Sequence, residues 1–229
     1  MGLYVYCIVP AGCAPSGDLV GVDDAPVLAR AVGEVGVWVS ELGGRPEPSI
    51  ERIRAHNRVV EAAVTESVTP VPVRFGQWLE SETALAAHVS ERAGGYAAAL
   101  RRFAGTLEFG IRVLDPNQQS ARILPHQPST TGRQYMAALR EQYRARESAA
   151  PELVELRSRI HALFAPIVRA EQFEAADTTH GKTAVVHLVE YANFDAYRTA
   201  VPKLRAEFAN LRFLLSGPWP PYSFAADNG

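Results

Sequence analysis

Six histidines, at 56, 88, 126, 161, 180 and 187, and two cysteines, at 7 and 13, are the residues here best suited to hold a metal or move a proton. A zinc site needs three or four such ligands to converge, often starting from a pair four apart on a helix or a close Cys pair. No two of these histidines are four apart and none stands beside a cysteine, so no metal site is expected. His180-Gly181-Lys182-Thr183 copies the end of a phosphate loop, but position 176 is Ala where the first glycine belongs. The triplet also leads into a strand-like run, where successive amides cannot ring a phosphate, and it reads as a hairpin turn. No Gly-x-Ser-x-Gly elbow occurs, and no Gly-x-Gly-x-x-Gly follows the first strand-like run. Glu80/Glu82 and Asp23/Asp24 fall in turns or helix starts, where solvation and the helix dipole account for them. None of these residues makes a convincing nucleophile–base pair, so no catalytic residues are expected.

Two stretches carry a different chemistry, that of recognition. In "PVPVRFGQW" Arg74, Phe75 and Trp78 follow a proline-stiffened strand; in "GPWPPYSF" Trp219, Tyr222 and Phe224 are interleaved with Gly217, Pro218, Pro220 and Pro221. Proline fixes the backbone and lowers the entropy lost on docking, while Trp and Tyr supply large contact areas. Each stretch serves either as a partner-binding segment or as a plug for the sheet edge of its own domain, and residue types alone leave both open. His56, in "RAHNRVVE", is either a hydrogen-bonded helix histidine or one that contacts Arg74 or Glu61 and orders a binding surface.

The elements around these stretches follow from periodicity. "LYVYCIV" (3–9) is β-branched and aromatic and ends at Pro10, a first strand. "VLARAV" (27–32) and "VGVWVSEL" (35–42), separated by Gly33-Glu34, make an antiparallel hairpin. A helix starts at Ser49, with Ile50, Ile53, Val60 and Val64 inward. "TPVPVRFG" (69–76) is a short strand on an edge or at a junction, because Pro70 and Pro72 lack ladder donors. Another helix runs from Ser81 to about Phe103, weak at Gly94-Gly95, and "TLEFGIRVLD" (106–115) alternates as a half-buried strand with Glu108 outward.

The order β-β-β-α-β-α-β reads as an open sheet with helices on one face, a modified ferredoxin-like domain over 1–115. "PNQQSARILPHQPSTT" (116–131) is the linker. The remainder, 132–229, is a second α+β domain, α-α-β-β-α-β. A helical hairpin opens it, its second helix carrying Leu153, Leu156, Ile160, Leu163 and Ile167, and the aromatic tail closes it.

Composition is that of a globular protein: 47% hydrophobic, 21% charged and a net charge of −2. With no basic excess, neither nucleic acid nor an anionic membrane is an expected partner. Only two of the 23 basic residues, Lys182 and Lys203, are lysine, which reads as a GC-rich coding bias. "MGLYVYCIVPAG" has neither the basic region nor the apolar length of a signal peptide, so a cytoplasmic protein with reduced thiols at Cys7 and Cys13 is expected.

"LYVYCIV", "HNRVVEAAVTESVTPVPVRFG" (56–76), "GRQYMAALR" from 132 and the terminal "GPWPPYSF" together resemble the gas vesicle protein L/F family, in the family's order along the chain. The resemblance implies an accessory protein of gas vesicle assembly with two α+β domains and neither enzymatic activity nor a cofactor. The implied partners are the apolar major shell protein and other gas vesicle accessory proteins, and the implied place is the gas vesicle within the bacterial cytosol. Nucleation factor, chaperone and wall-bound component all fit the resemblance, as does any oligomeric state. The competing class is a ferredoxin-like small-molecule sensor or enzyme, which would need converging titratable groups in a closed polar pocket.

Overall fold

The computed structural model describes residues 1–65, 67–116, 152–174 and 183–225. The expected linker at 116–131, the first helix of the expected hairpin and the turn at His180-Gly181 lie essentially outside these residues. By contacts the chain divides into two compact units, 1–109 with 217–229, and 110–216. The terminal tail, expected with the second half, therefore belongs to the first unit.

The first unit is built on β1 (Gly2–Pro10), which pairs antiparallel with β3 (Val35–Leu42), itself paired with β2 (Leu28–Val32). The hairpin β2–β3 turns at Gly33, whose φ of +58° lies in the region that glycine enters without steric penalty. On its other side β1 meets two short strands in succession, β4 (Val71–Pro72) and β5 (Trp78–Leu79). The single strand expected over 69–76 is thus interrupted. The Val73 amide still donates to the Tyr6 carbonyl at 2.9 Å and the Val5 amide to the Gln77 carbonyl at 3.0 Å, so only 74–76 loop out between the two short strands.

α1 (Ile50–Ala62) begins at Ser49, whose Oγ accepts from the Arg52 amide at 3.2 Å. α2 (Glu82–Glu91) begins at Ser81 in the same way, and α3 (Ala93–Phe103) follows after a break at Arg92. One continuous helix was expected there; the break precedes Gly94-Gly95, which sit in the first turn of α3.

Helices cover both faces of this sheet, not the one expected. A β-bulge at Tyr6 shifts the register of β1 against β3 between Val5 and Cys7. It brings Tyr4, Tyr6, Cys7 and Val9 onto one face, where they pack with Trp38 and with Ala55, Val59, Val60 and Ala63 of α1. Val5 and Ile8 are left on the other face, beside Leu85 and Val89 of α2 and Tyr96 of α3. The apolar stripe of α1 is consequently rotated from the expected one. Ile50 and Ile53 are 70% and 40% exposed; Val60 is buried as expected, but it is joined by Ala55, His56 and Val59. Small residues and one satisfied histidine, not the isoleucines, let the helix approach the tyrosines of β1.

β6 (Thr106–Leu114), expected to complete the first sheet, belongs to a second, four-stranded sheet. Its order is β7-β8-β6-β9, with β7 (Ala170–Glu174), β8 (Thr183–Glu190) and β9 (Arg212–Trp219). Alternation identifies a strand and its faces but not its neighbour, which is why β6 was misplaced. In the second unit β7 and β8 pair antiparallel from Ala170↔Leu188 to Glu174↔Ala184. Helix α4, over 152–164, buries Leu156, Ile160 and Phe164, and α5 (Phe194–Glu207) buries Tyr197, Ala200, Val201 and Leu204. A last single turn, α6 (Tyr222–Ala225), returns to the first unit.

Tyr6 ties this architecture together through its hydroxyl, which donates to Ser40 Oγ at 2.9 Å and accepts from the Val22 amide at 2.9 Å. Ser40 passes its own proton to the Pro26 carbonyl at 2.9 Å. Tyr6→Phe leaves the buried Val22 N–H without its acceptor, so urea denaturation should show a loss of about 1–3 kcal/mol with an unchanged m value.

Candidate functional site

The loop 74–76 carries Arg74 and Phe75, and a buried hydrogen-bond chain sets its course. The Gly76 amide donates to Tyr4 Oη at 3.3 Å, and the Tyr4 hydroxyl donates to His56 Nδ1 at 2.9 Å. His56 Nε2 then donates to the Val73 carbonyl at 2.9 Å. A carbonyl can only accept, so the proton sits on Nε2 and Nδ1 is the acceptor. Burial pushes the His56 imidazole down from its ordinary 6.5 to about 4, against the opposing pull of the Val73 hydrogen bond. Burial likewise raises the Tyr4 phenol, which keeps the proton it donates. Neither Arg74 nor Glu61, the contacts considered for a functional His56, is its partner. Phe75 leans on the rings of Tyr4 and His56, with centroids 5.8 and 5.9 Å away. Trp78, opposite Tyr4 in the β1–β5 ladder, lies over Gly2, where a Cβ would meet the indole at 2.3 Å. Its indole N–H is buried with no partner among the described residues.

The tail is stapled to the same unit. Gly217 has φ +103°, and a Cβ there would stand 2.6 Å from the Glu108 carbonyl, so only glycine admits this approach. The Ser223 amide and hydroxyl both donate, at 2.8 Å, to the Glu108 carboxylate. Glu108, expected outward on its strand, is only 7% exposed. Arg102 stands over the Phe224 ring at 5.6 Å, and the Tyr222 hydroxyl donates to Asn57 Oδ1 at 3.1 Å. Pro220, Pro221 and Phe224 are buried, Pro218 is exposed, and Trp219 remains 46% exposed beside Asn57, Glu61, Pro220 and Tyr222.

Between β4, α2, α3 and the tail lies a cleft of about 290 Å³. Its walls are Val5, Ile8, Val71, Leu85, Val89 and Tyr96, closed on one side by Tyr222 and Ala225, with Arg74, Gln77 and His88 as polar members. The structure therefore brings Arg74 and Tyr222 to one cleft and turns Phe75, Trp78 and Phe224 inward or aside. Sequence reasoning missed Glu108, Ser223, Asn57 and the apolar lining. His56 and Asn57, polar positions at the apolar stripe of α1, are the signal that could have pointed to them.

A hydroxyl–imidazole–carboxylate series occurs in the second unit. His187 Nδ1 lies 2.7 Å from Tyr197 Oη, and Glu171 accepts from His187 Nε2 at 2.9 Å and from His161 Nδ1 at 2.8 Å. Burial pushes the Glu171 carboxyl up, but the two histidine hydrogen bonds outweigh it and hold it below the usual range. Tyr197 and His187 are fully buried, and burial, then the charge of Glu171, raises the phenol. A nucleophile needs the opposite shift and an open approach, so these groups make a structural network around the stacked ring of Phe164.

The depressed His56 pKa makes stability depend on pH. Above pH 6.5 the ring is neutral in the folded and unfolded chain, and its contribution is fully present. As pH falls from 6.5 toward 4 the unfolded chain binds a proton that the folded chain refuses, and stability declines by on the order of 3 kcal/mol. His56→Gln should remove that part of the slope in denaturant titrations across this range, and lower stability at pH 7.5.

Comparison with known proteins agrees with this architecture. The family model described as "Gas vesicle synthesis protein GvpL/GvpF" matches residues 2–226. Gas vesicle protein L1 of Halobacterium salinarum is 26% identical over 257 residues, covering 100% of this chain and 92% of that protein. Gas vesicle protein F of a Streptomyces species is 26% identical over 239 residues, covering 98% and 99%. The crystal structure of GvpF from Anabaena sp. PCC7120 superposes with a TM-score of 0.80 at 17% identity, covering 98% of this chain and 95% of that one. GvpF from Microcystis aeruginosa gives 0.75 at 16% identity, covering 98% of each. With a family match over nearly its whole length and the same mixed α+β fold, the chain belongs to the GvpL/GvpF family of gas vesicle synthesis proteins.

Proposed function

We propose that this chain serves gas vesicle formation by binding the major shell protein while the vesicle nucleates or grows. Family membership supports the role in gas vesicle formation. The observation that supports a binding role is the state of Trp219. The residues after it are held by Glu108, Asn57 and Arg102, yet Trp219 itself remains 46% exposed. An exposed tryptophan on a backbone braced by Pro218 and Pro220 loses little conformational entropy on docking and offers a large apolar contact. An apolar shell subunit awaiting assembly presents the complementary surface and would aggregate without a cover. Other gas vesicle accessory proteins are the alternative occupants of this surface, and purified, detergent-washed vesicles would show whether the chain stays with the wall.

Trp219→Ala is the clean test, because deleting 218–229 also strips Glu108 of its two Ser223 donors. The deletion should lower the melting temperature, whereas Trp219→Ala should leave it within a degree or two. On co-expression with the shell protein, the intact chain should co-purify it, and Trp219→Ala should recover about tenfold less. Undiminished recovery removes the indole from recognition, and no recovery with the intact chain refutes shell binding.

A further inference from the structure

The cleft in the first unit is built like a receptor and not like a packing defect. Its walls come from β1, β4, α2, α3 and the tail, and the deep part is aliphatic: Val5, Ile8, Val71, Leu85 and Val89. A volume of about 290 Å³ takes two or three aliphatic side chains. Besides the tyrosines Tyr96 and Tyr222, its polar members are Arg74, Gln77 and His88. Arg74 is exposed and, among the described residues, has no ion-pair or hydrogen-bond partner, although 73–77 is held on both sides of it by the Tyr4–His56 chain. Gln77 also has no side-chain partner among the described residues. His88 lies next to Arg92, 3.5 Å from Nδ1, and burial, then that guanidinium, lowers its pKa and leaves Arg74 as the cation of the cleft.

From this arrangement we infer that the cleft binds a short aliphatic protein segment followed by a carboxylate side chain, the aliphatic groups entering between β1 and α2 and the carboxylate pairing with Arg74. A guanidinium held at an apolar mouth selects a carboxylate by charge and by its forked geometry. The unengaged Gln77 amide offers a donor and an acceptor to a peptide group, which favours a protein segment over a fatty acid of similar length. The inference rests on the reading that this chain binds another gas vesicle protein, and it names the site and the sequence chemistry recognised.

The test uses the full chain with labelled valine, leucine and isoleucine methyl groups and three probes. These are the peptide amide acetyl-Val-Leu-Ile-Glu, the same peptide ending in Lys, and octanoate. The acidic peptide should shift the methyl resonances of Val5, Ile8, Leu85 and Val89 saturably, and the Lys peptide should bind at least tenfold more weakly. Arg74→Ala, an exposed substitution whose spectrum should remain that of a folded chain, should weaken the acidic peptide about tenfold, with Arg74→Lys in between. Equal binding of both peptides, shifts confined to other methyl groups, or octanoate binding more tightly than the acidic peptide would each overturn the inference. Shell-protein co-purification separates the two readings. Arg74→Ala that loses the peptide but recovers shell protein in full overturns the cleft as its dock while shell binding stands. Peptide binding as described, with no shell protein recovered by the intact chain, leaves the cleft in place and refutes the shell reading.

Discussion

A strand buried on both faces that carries two tyrosine hydroxyls must find a partner for each, and that requirement organises the first unit. Tyr4 meets it through His56 and the Gly76 amide, Tyr6 through Ser40 and the Val22 amide. Each bond reaches a segment far away in sequence, so satisfying the two phenols sets the rotation of α1, the seat of the 22–26 turn and the path of the 74–76 loop. An unpaired buried hydroxyl or amide costs more than any one of these bonds contributes, which makes the arrangement all-or-none. Neutral His56 suits this place because it donates and accepts at once on opposite sides of its ring, as no aliphatic residue could.

The same unit deals with its open sheet edge by using its own chain end. β4 is two residues long and contains a proline, and α6 packs on it. An edge so short and covered has little to offer an added strand. Side chains are what the unit does present: the indole of Trp219 outside the tail, and the guanidinium of Arg74 at the mouth of the cleft. Arg74 sits between the hydrogen-bonded Val73 and Gly76, and Trp219 between Pro218 and Pro220 on a tail anchored at Tyr222 and Ser223, so neither exposed group faces a large ordering cost on binding.

Titratable groups follow a different logic in the two units. His187, Glu171 and Tyr197 converge as catalytic groups do, yet burial raises the phenol so that it holds its proton more firmly, and the imidazole is committed to stacking and two hydrogen bonds. Geometry that resembles a triad in a list of distances is here the way a polar cluster is made tolerable inside a sheet–helix interface.

Residue order alone placed β1, the β2–β3 hairpin and the starts of α1 and α2, because β-branched runs, Ser49 and Ser81 as caps and the Gly33 turn are local signals that need no distant partner; the break at Arg92 and the strand at 78–79 were not among them. It also determined that the tail would be held, since prolines and aromatics in that density do not favour a fraying end. Three things depended on contacts across the chain and were misread: the inward face of α1, the sheet to which β6 belongs, and the unit that claims 217–229. Ile50 and Ile53 satisfy helical periodicity as well as Ala55 and Val59 do, and seating His56 against Tyr4 favours the second face, with Val60 buried on either reading. Glu108 looks like the outward residue of an alternating strand until Ser223, more than a hundred positions later, supplies two donors that permit its burial. Periodicity reports which residues share a face; what that face meets is settled by hydrogen-bond partners and packing that only the tertiary structure brings together.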